Sequence, residues 1–410
     1  MTRPFVTSEV APLQQVVVHT PGEEMAAVSP DRLESLLFED ILFEDIAQRE
    51  HILMCEVFRK IVGRPDAVVE FADLLLETFQ IEEARHAFVD TLAEAVPARN
   101  YGAYANELKQ LSPEELHRFA LAGRSPLPVE APPIPNVLFT RDLAATVCDH
   151  LILSNAATPA RVREGVLVRI IVRYHPSFAG VSERTIELPA AATFEGGDLL
   201  VASDKVVLIG HSERTNYAGI SAIAEALFAR TTIEHVLMVD LPKQRSCMHL
   251  DTVFTFADER TCVVFPPYIQ HERHNVVHLT PGSEPGVLQS RKLPSVQHAL
   301  ESLLDRTFTF IPCGGEDPHD QVREQWTDGS NVFAPAPGVV VGYERNRHTF
   351  AALQRHGYRV VSAKGFLDYH AHSTFAQDEK LAIKLVGTEL SRGRGGPRCM
   401  TMPLRRSTIG

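Results

Sequence analysis

Between residues 68 and 125 apolar side chains return every third or fourth position, the spacing that lines one face of a helix. In "IEEARHAFVDTLAEA" that face consists of Ile81, Ala84, Phe88, Leu92 and Ala95. In "LSPEELHRFALAG", Ser112 stands as N-cap, Pro113 takes the first helical position, Glu115 completes a capping box and Gly123 offers a C-cap. No strand pattern interrupts this block. It closes on "PLPVEAPPIP" (126–135), five of whose ten residues are proline, a stiff linker. The pattern predicts an all-helical insertion over 68–125 within a second unit formed by 1–67 and 126–410.

That second unit repeats itself. "TRDLAATVCDHLILSN" starts at Thr140, "EGGDLLVASDKVVLIG" at Glu195, "HLDTVFTFADERTCVVF" at His249 and "GSNVFAPAPGVVVGY" at Gly329. Each opens on a polar cluster ending in Asp or Asn, then gives a strand-like run, a turn and a second run. Helical stretches follow at least two of them, "YAGISAIAEALFA" and "RHTFAALQRHG". "QQVVVHTPG" near the start and "RCMTMPL" near the end could be halves of a fifth unit. Repeats of one supersecondary type stack along a line or around an axis. Around an axis, the polar clusters would meet at one mouth.

Composition narrows the class without naming a chemistry. Of the 410 residues 44% are hydrophobic and 22% charged, as in an ordinary globular protein. A net charge of -12 argues against a general nucleic-acid binder. The chain has neither a signal-like start nor an apolar run of membrane length. Its six cysteines form no CxxC pair, which suits reduced thiols in a cytoplasm. "HERH" (271–274) and "YHAHSTF" (369–375) have no matching second ligand pair and read as solvated loops, so no metal is expected. No GxSxG, Walker A or GxGxxG motif occurs.

The clusters themselves hold Asp142, Glu195, Asp198, His249 and Asp251, and "GRGGPRCMTMP" near the end adds Cys399 among glycines and arginines. Singly each is ordinary: an Asp before a strand forms turns, a Gly pair marks a bulge, a His among apolar residues sits in a core. Jointly they describe a nucleophilic thiol, a proton-moving imidazole and several carboxylates. Acyl transfer needs oxyanion donors instead of carboxylates. Carboxylates suit a guanidinium, whose N–H groups form a planar fork that they accept in pairs. The constellation points to attack on a guanidinium carbon.

At these residues the sequence resembles the arginine deiminases of the guanidine-modifying superfamily. The likeness runs from "VVVHTPGEE" and "LLFEDILFEDIAQREH" through "PNVLFTRD", "FEGGD", "KQRSCMHLDTVFT" and "EQWTDGSN" to "GRGGPRCMTMPL". It implies a five-bladed, pseudo-symmetric α/β propeller, the pentein fold, carrying a helical insertion. It implies hydrolysis of L-arginine to L-citrulline and ammonia through an S-alkylthiouronium, with no cofactor, in a cytoplasmic homo-oligomer that binds neither nucleic acid nor membrane. By motif match Cys399 would be the nucleophile and His249 the general acid and base. Asp142, Asp251 and Glu195 would hold the guanidinium, and Asp198 would belong to the substrate-binding set. Arg161, Arg245 and Arg394 would take the substrate carboxylate, with Asn136 and Phe139 lining the pocket. Gly393, Gly395 and Gly396 would let the cysteine loop close over substrate.

Two departures stand out. The segment 362–390 is longer than the usual link, and Phe38, Glu39 and Asp40 replace a frequent Phe-Asp-Asp. An amidinotransferase would pass the same intermediate to an amine. An agmatine or methylarginine hydrolase would differ at the substrate's far end. A non-catalytic arginine-binding protein should have lost Cys399 or His249, and both are present.

Overall fold

A computed structural model describes residues 3–96, 101–270, 273–284, 286–377 and 379–409. Each repeated unit folds as an antiparallel hairpin, and after an intervening helix a later strand runs parallel to the hairpin's second arm. The first pairs Ala144–Val147 with His150–Leu153, crosses over by helix Val162–Tyr174, and returns as Thr185–Ile186. The second pairs Leu199–Val201 with Val206–His211, crosses by Tyr217–Arg230 and returns as His235–Asp240, to which Val276–Pro281 and Leu288–Leu293 are added. The third joins Phe254–Asp258, Thr261–Val264 and Thr309–Pro312. In the fourth, Phe333–Ala336 and Val339–Tyr343 are extended by Leu381–Leu385 and Arg359–Ser362. The hairpin strands are buried along almost their whole length, which is why they read as continuous apolar runs rather than alternating ones.

The two ends of the chain make the fifth unit together. Leu13–Val18 pairs antiparallel with Met402–Arg406 and parallel with Val68–Glu70, and helix Glu44–Val62 lies between. The described strands therefore fall into five sheets, none of which closes on itself.

The helical block differs from its expected outline at the start. Val68–Glu70 is a strand, because Val68 and Val69 extend beside Val16 and Val17. Helices Phe71–Phe79, Glu82–Ala95, Ala105–Lys109 and Pro113–Ala122 follow. Ala84, Phe88 and Leu92 are buried as the periodicity predicts, Val89 joins them, and Ala95 faces solvent. Their core is continuous with the inner face of helix Val162–Tyr174 and reaches Val17, Leu143 and Met402. The capping box is formed: Ser112 Oγ accepts from Glu115 N at 3.1 Å, and Ser112 N donates to Glu115 Oε2 at 3.0 Å.

The long segment after residue 361 contains a short helix, Ala363–Tyr369, capped by the Ser362 hydroxyl, before it enters strand Leu381–Leu385. "YHAHSTF" ends that helix and continues as an exposed turn. "HERH" falls partly outside the described residues. Among the described residues no helix is long and apolar enough to cross a membrane.

Two helix-ending glycines give a test of this packing. Gly63 and Gly123 both sit at positive φ, +73° and +75°, but a Cβ at Gly63 would meet nothing while one at Gly123 would lie 1.9 Å from Ala131 O. Gly63→Ala should cost about 1 kcal/mol from backbone strain alone. Gly123→Ala should cost a further ~1–3 kcal/mol of overpacking. Urea unfolding of the two variants measures the difference, and equal costs would contradict this packing.

Candidate active site

The polar clusters do converge, and they are tied to one another by hydrogen bonds. Short 3₁₀ turns at Thr140–Asp142, Gly196–Asp198 and Leu250–Thr252 each lead into a hairpin. Asp142 Oδ1 accepts from Gly197 N at 3.1 Å, and Asp198 Oδ1 accepts from Leu250 N at 2.8 Å. Asp251 O accepts from Asn331 Nδ2 at 3.1 Å, and Asn331 Oδ1 accepts from Cys399 N at 3.0 Å. Cys399 O then accepts from Arg141 N at 3.0 Å, which returns to the first cluster.

The glycines of "EGGD" serve this closeness. A Cβ on Gly196 would fall 2.2 Å from Arg141 O, and one on Gly197 would fall 2.8 Å from both Asp142 Oδ1 and His249 Nδ1. Gly395 and Gly396 act likewise: a Cβ there would stand 2.3 Å from Phe139 and 2.6 Å from Asn331 O. The glycines before Cys399, expected to supply mobility, are needed first so that the loop can seat against its neighbours.

Burial makes every charge here consequential. His249 Nε2 donates to Glu195 Oε2 at 2.8 Å, and its Nδ1 lies 3.7 Å from Asp142 Oδ1. Desolvation opposes the imidazolium, but Asp142 and the Glu195 hydrogen bond outweigh it and push its pKa up to about 9. For Glu195 burial again works against charge, yet Arg161, His249 and Arg214 hold it down at about 2. Cys399 Sγ lies 3.8 Å from Asp251 Oδ2. Burial, then Asp251, Asp142 and Asp328, push its thiol well above the ordinary range, against the pull of Arg398. These environments favour a neutral thiol beside an imidazolium.

Asp251 is held from behind. Arg398 Nη1 donates to its Oδ2 at 2.8 Å, while the rest of that guanidinium is fixed by Glu9 and by Leu199 O. Among the described residues, Asp251 Oδ1 is buried without a hydrogen-bond partner. Asp198 lies apart from this mouth. Its oxygens take Ser212 Oγ at 2.6 Å and Leu250 N, and burial raises its pKa to about 7. It sets the backbone that carries His249 and does not line the cavity.

The three arginines expected at a substrate carboxylate all line the cavity, but not as one clamp. Arg161 is buried on acidic partners, with Nη1 2.5 Å from Asp142 Oδ2 and 3.3 Å from Glu195 Oε2. Arg245 is half-exposed and holds the neighbouring loop, donating to Leu37 O at 2.6 Å and Glu39 Oε1 at 2.9 Å. Arg394 sits at φ +63° with its guanidinium 3.4 Å from the Trp326 ring centre, and its Nε and Nη1 are buried without a hydrogen-bond acceptor. Asn136 Nδ2 donates to Leu36 O at 2.7 Å, and Phe139 stacks on Phe38. Arg214 is a further lining residue that the sequence did not reveal. It is buried, 3.5 Å from Glu195 Oε1, and held by a turn in which Ser212 Oγ accepts from its own N–H. An arginine in "HSERTNYA" carries no signal of burial.

Asp142, Glu195 and His249 also have donor types and spacing suited to a cation. Here the Arg161 guanidinium bridges the two carboxylates, so the chain itself supplies the positive charge. The arrangement can bind a planar cation, present a thiol to its carbon and move a proton.

Comparison with known proteins agrees. Residues 99–406 match the family model described as arginine deiminase. The chain is 35% identical over 434 aligned residues to an arginine deiminase of Bacillus thuringiensis subsp. konkukian, covering 98% of each chain. It is 33% identical over 437 to one of Listeria monocytogenes serotype 4b, again 98% of each. Among solved structures, an amidinotransferase from Microseira wollei is similar in fold, with TM-score 0.55, 14% identity and coverage of 99% and 98%. So is a Pseudomonas aeruginosa enzyme, DDAH, solved with citrulline, with TM-score 0.50, 13% identity and coverage of 95% and 99%.

The thiol's environment is open to direct measurement. The thiolate absorbance near 240 nm of Cys399→Ser, subtracted from that of the unaltered chain, cancels the other thiols. The difference should be absent at neutral pH and emerge only above about pH 9, beyond the ordinary thiol range. A difference already present at neutral pH would show that the basic residues outweigh burial.

Proposed function

The chain belongs to the arginine deiminase family, and from that premise we propose that it hydrolyses L-arginine through a covalent intermediate on Cys399. The observation that carries the mechanism is the sharing of one buried cavity by Cys399, His249 and Asp142, with Glu195 and Asp251 in contact with them.

The substrate guanidinium is received by Asp142, Glu195 and the open Asp251 Oδ1. Its charge lowers the thiol pKa, so the thiol gives its proton to water and the thiolate forms where the electrophile lies. The thiolate adds to the guanidino carbon. His249, protonated in the empty site, gives its proton to the departing nitrogen, and ammonia leaves an S-alkylthiouronium. The neutral imidazole then takes a proton from water, hydroxide adds to the same carbon, and the C–S bond breaks as the hydroxyl proton passes to the departing sulfur, giving citrulline and the starting thiol. Glu195 keeps His249 oriented through both halves.

The architecture supports a finer reading. Five sheets, and a circuit of hydrogen bonds that joins four polar clusters and the cysteine loop, favour a five-bladed α/β propeller, with 1–67 and 126–410 as the catalytic unit and 68–125 as its helical insertion. A homo-oligomer in the cytoplasm goes with this reading.

Cys399→Ala should lower citrulline formation at least ~10³-fold, the scale of losing a covalent nucleophile. Acid quenching during turnover should leave the amidine adduct on the Cys399 peptide by mass spectrometry. Near-normal turnover by Cys399→Ala would end the mechanism. The raised pKa of His249 sets a second expectation. Its imidazolium stabilises the fold fully below about 6.5, and that contribution is lost as pH rises through about 9. Ammonia release in the first turnover should fall over the same upper limb, and a limb centred near 6.5 would contradict the assignment.

A further inference from the structure

The loop 386–398 joins strand Leu381–Leu385 to the nucleophile, and its two ends are held by different groups. At the end next to Cys399, Tyr343 Oη donates to Gly395 O at 2.8 Å, and Asn331 Oδ1 accepts from Cys399 N at 3.0 Å. At the end next to the strand, one buried carboxylate does most of the holding. Glu50 Oε1 accepts from Thr388 N and from Thr388 Oγ1, both at 2.8 Å. Its Oε2 accepts from Glu389 N at 3.1 Å and Leu390 N at 3.0 Å. Three successive backbone N–H groups on one carboxylate form an anion-receiving hollow. Helix Glu44–Val62 is itself packed by Ala47, Met54 and Phe58, and the four donors to Glu50 all come from the loop.

The 3₁₀ turn Leu390–Gly393 follows at once and leads into Arg394, which sits in the left-handed region at φ +63°. A non-glycine residue stays there only where its surroundings dictate. Among the described residues, nothing accepts from Arg394 Nε or Nη1, and its guanidinium rests 3.4 Å from the centre of the Trp326 ring. The place of Arg394 therefore follows from the turn that carries it. Arg392 also pairs with Asp40 and Glu389, and Arg345 reaches Ser391 Oγ. The Arg392–Asp40 pair is exposed and counts for little. Glu50 is the buried hold on this end of the loop.

We propose that Glu50 is a positioning residue for the reaction: its grip on Thr388–Leu390 fixes the turn that presents Arg394, and so governs substrate capture rather than the chemistry at Cys399. The inference rests on the reading that the cavity takes arginine and that Arg394, which lines it, meets the substrate carboxylate. The carboxylate is needed because it only accepts. An amide in its place would turn an N–H toward at least one backbone N–H of the loop. Cys399 keeps its own hold on Asn331 whatever happens at Glu50.

Trp326 is the chain's single tryptophan, so its emission reports the seat of Arg394 directly. The test measures that emission, with KM and kcat for arginine, on the unaltered chain, on Glu50→Gln and on Arg394→Ala, which supplies the emission of the uncovered ring. Emission of Glu50→Gln should move toward that of Arg394→Ala. Its KM should rise about tenfold, the scale of losing part of a set of charge-assisted hydrogen bonds, with kcat kept within about threefold. Emission or KM unmoved would overturn the proposal. A fall in kcat with KM unmoved would assign Glu50 to the cysteine instead, and would overturn it too.

If Glu50→Gln does not fold, Thr388→Val decides. Thr388 is exposed, and the change removes only the hydroxyl donor to Glu50. KM should then rise roughly twofold to threefold, with an emission shift in the same direction, and no change in either overturns the proposal. Arg394→Ala is the separate check on the reading beneath. If it leaves KM unmoved, that reading falls, whereas a raised KM for Arg394→Ala beside an unmoved Glu50→Gln removes only the role of Glu50.

Discussion

The active centre depends on a circuit of hydrogen bonds that passes from one polar cluster to the next and returns to its origin. Asp142 takes Gly197, Asp198 takes Leu250, Asp251 takes Asn331, Asn331 takes Cys399, and Cys399 takes Arg141. Each link joins residues distant in sequence, and each is buried, so each must be satisfied within the protein. This requirement explains why short polar side chains precede the hairpins: Asp and Asn side chains reach a neighbouring backbone group from a tight turn. It also explains why glycine accompanies them at Gly196, Gly197 and Gly396, where a methyl group would separate the partners. The nucleophile belongs to this circuit through its own backbone, so the scaffold that assembles the sheets also fixes the thiol.

Around the circuit lies a second constraint, the pairing of buried charges. Asp142, Glu195, Glu164, Asp251 and Glu9 are all buried, and Arg161, Arg214 and Arg398 lie against them. Such pairs seldom add net stability, because desolvation offsets most of the attraction. Their effect is on chemistry. The Glu195 carboxylate stays ionised and holds His249 protonated, while burial and the carboxylates beside Cys399 raise its thiol pKa and favour the neutral form. The same fields that would make a free thiolate costly therefore make its formation conditional on a guanidinium.

Much of this was legible in the sequence, because hydrophobic pattern and motif spacing are local signals. Buried hairpins announced themselves as paired apolar runs, the capping box at Ser112 as a spacing, and the clusters as recurring polar punctuation. What was not legible depends on distant partners. Helix Glu44–Val62 buries Glu50 and His51 along with Met54 and Phe58, which blurs its apolar stripe. Glu50 is buried because it accepts from the backbone N–H groups of Thr388, Glu389 and Leu390, the approach to the cysteine loop. Strand Val68–Glu70 is too short to show a period and exists because Leu13–Val18 offers an edge. Arg214 and Arg398 carry no local signal of burial, since arginine is usually exposed, and the Glu9 partner of Arg398 lies 389 residues away.

A site built to recognise guanidinium cannot distinguish, by chemistry alone, a substrate from its own arginines. Any arginine with the reach will settle on the catalytic carboxylates. The structure handles this differently for its three buried arginines nearest the chemistry. Arg398 is immobilised: Glu9, Asp251 and Leu199 O consume its donors, so it acts as a fixed counter-charge. Arg214 stands off, 3.5 Å from Glu195. Arg161 alone bridges both Asp142 and Glu195. Its other edge is moored to Glu164, beside it on the same helix start. Recognition and charge balance thereby use one chemistry, since the Glu195 carboxylate that suits a guanidinium is the one that Arg161 and Arg214 keep ionised.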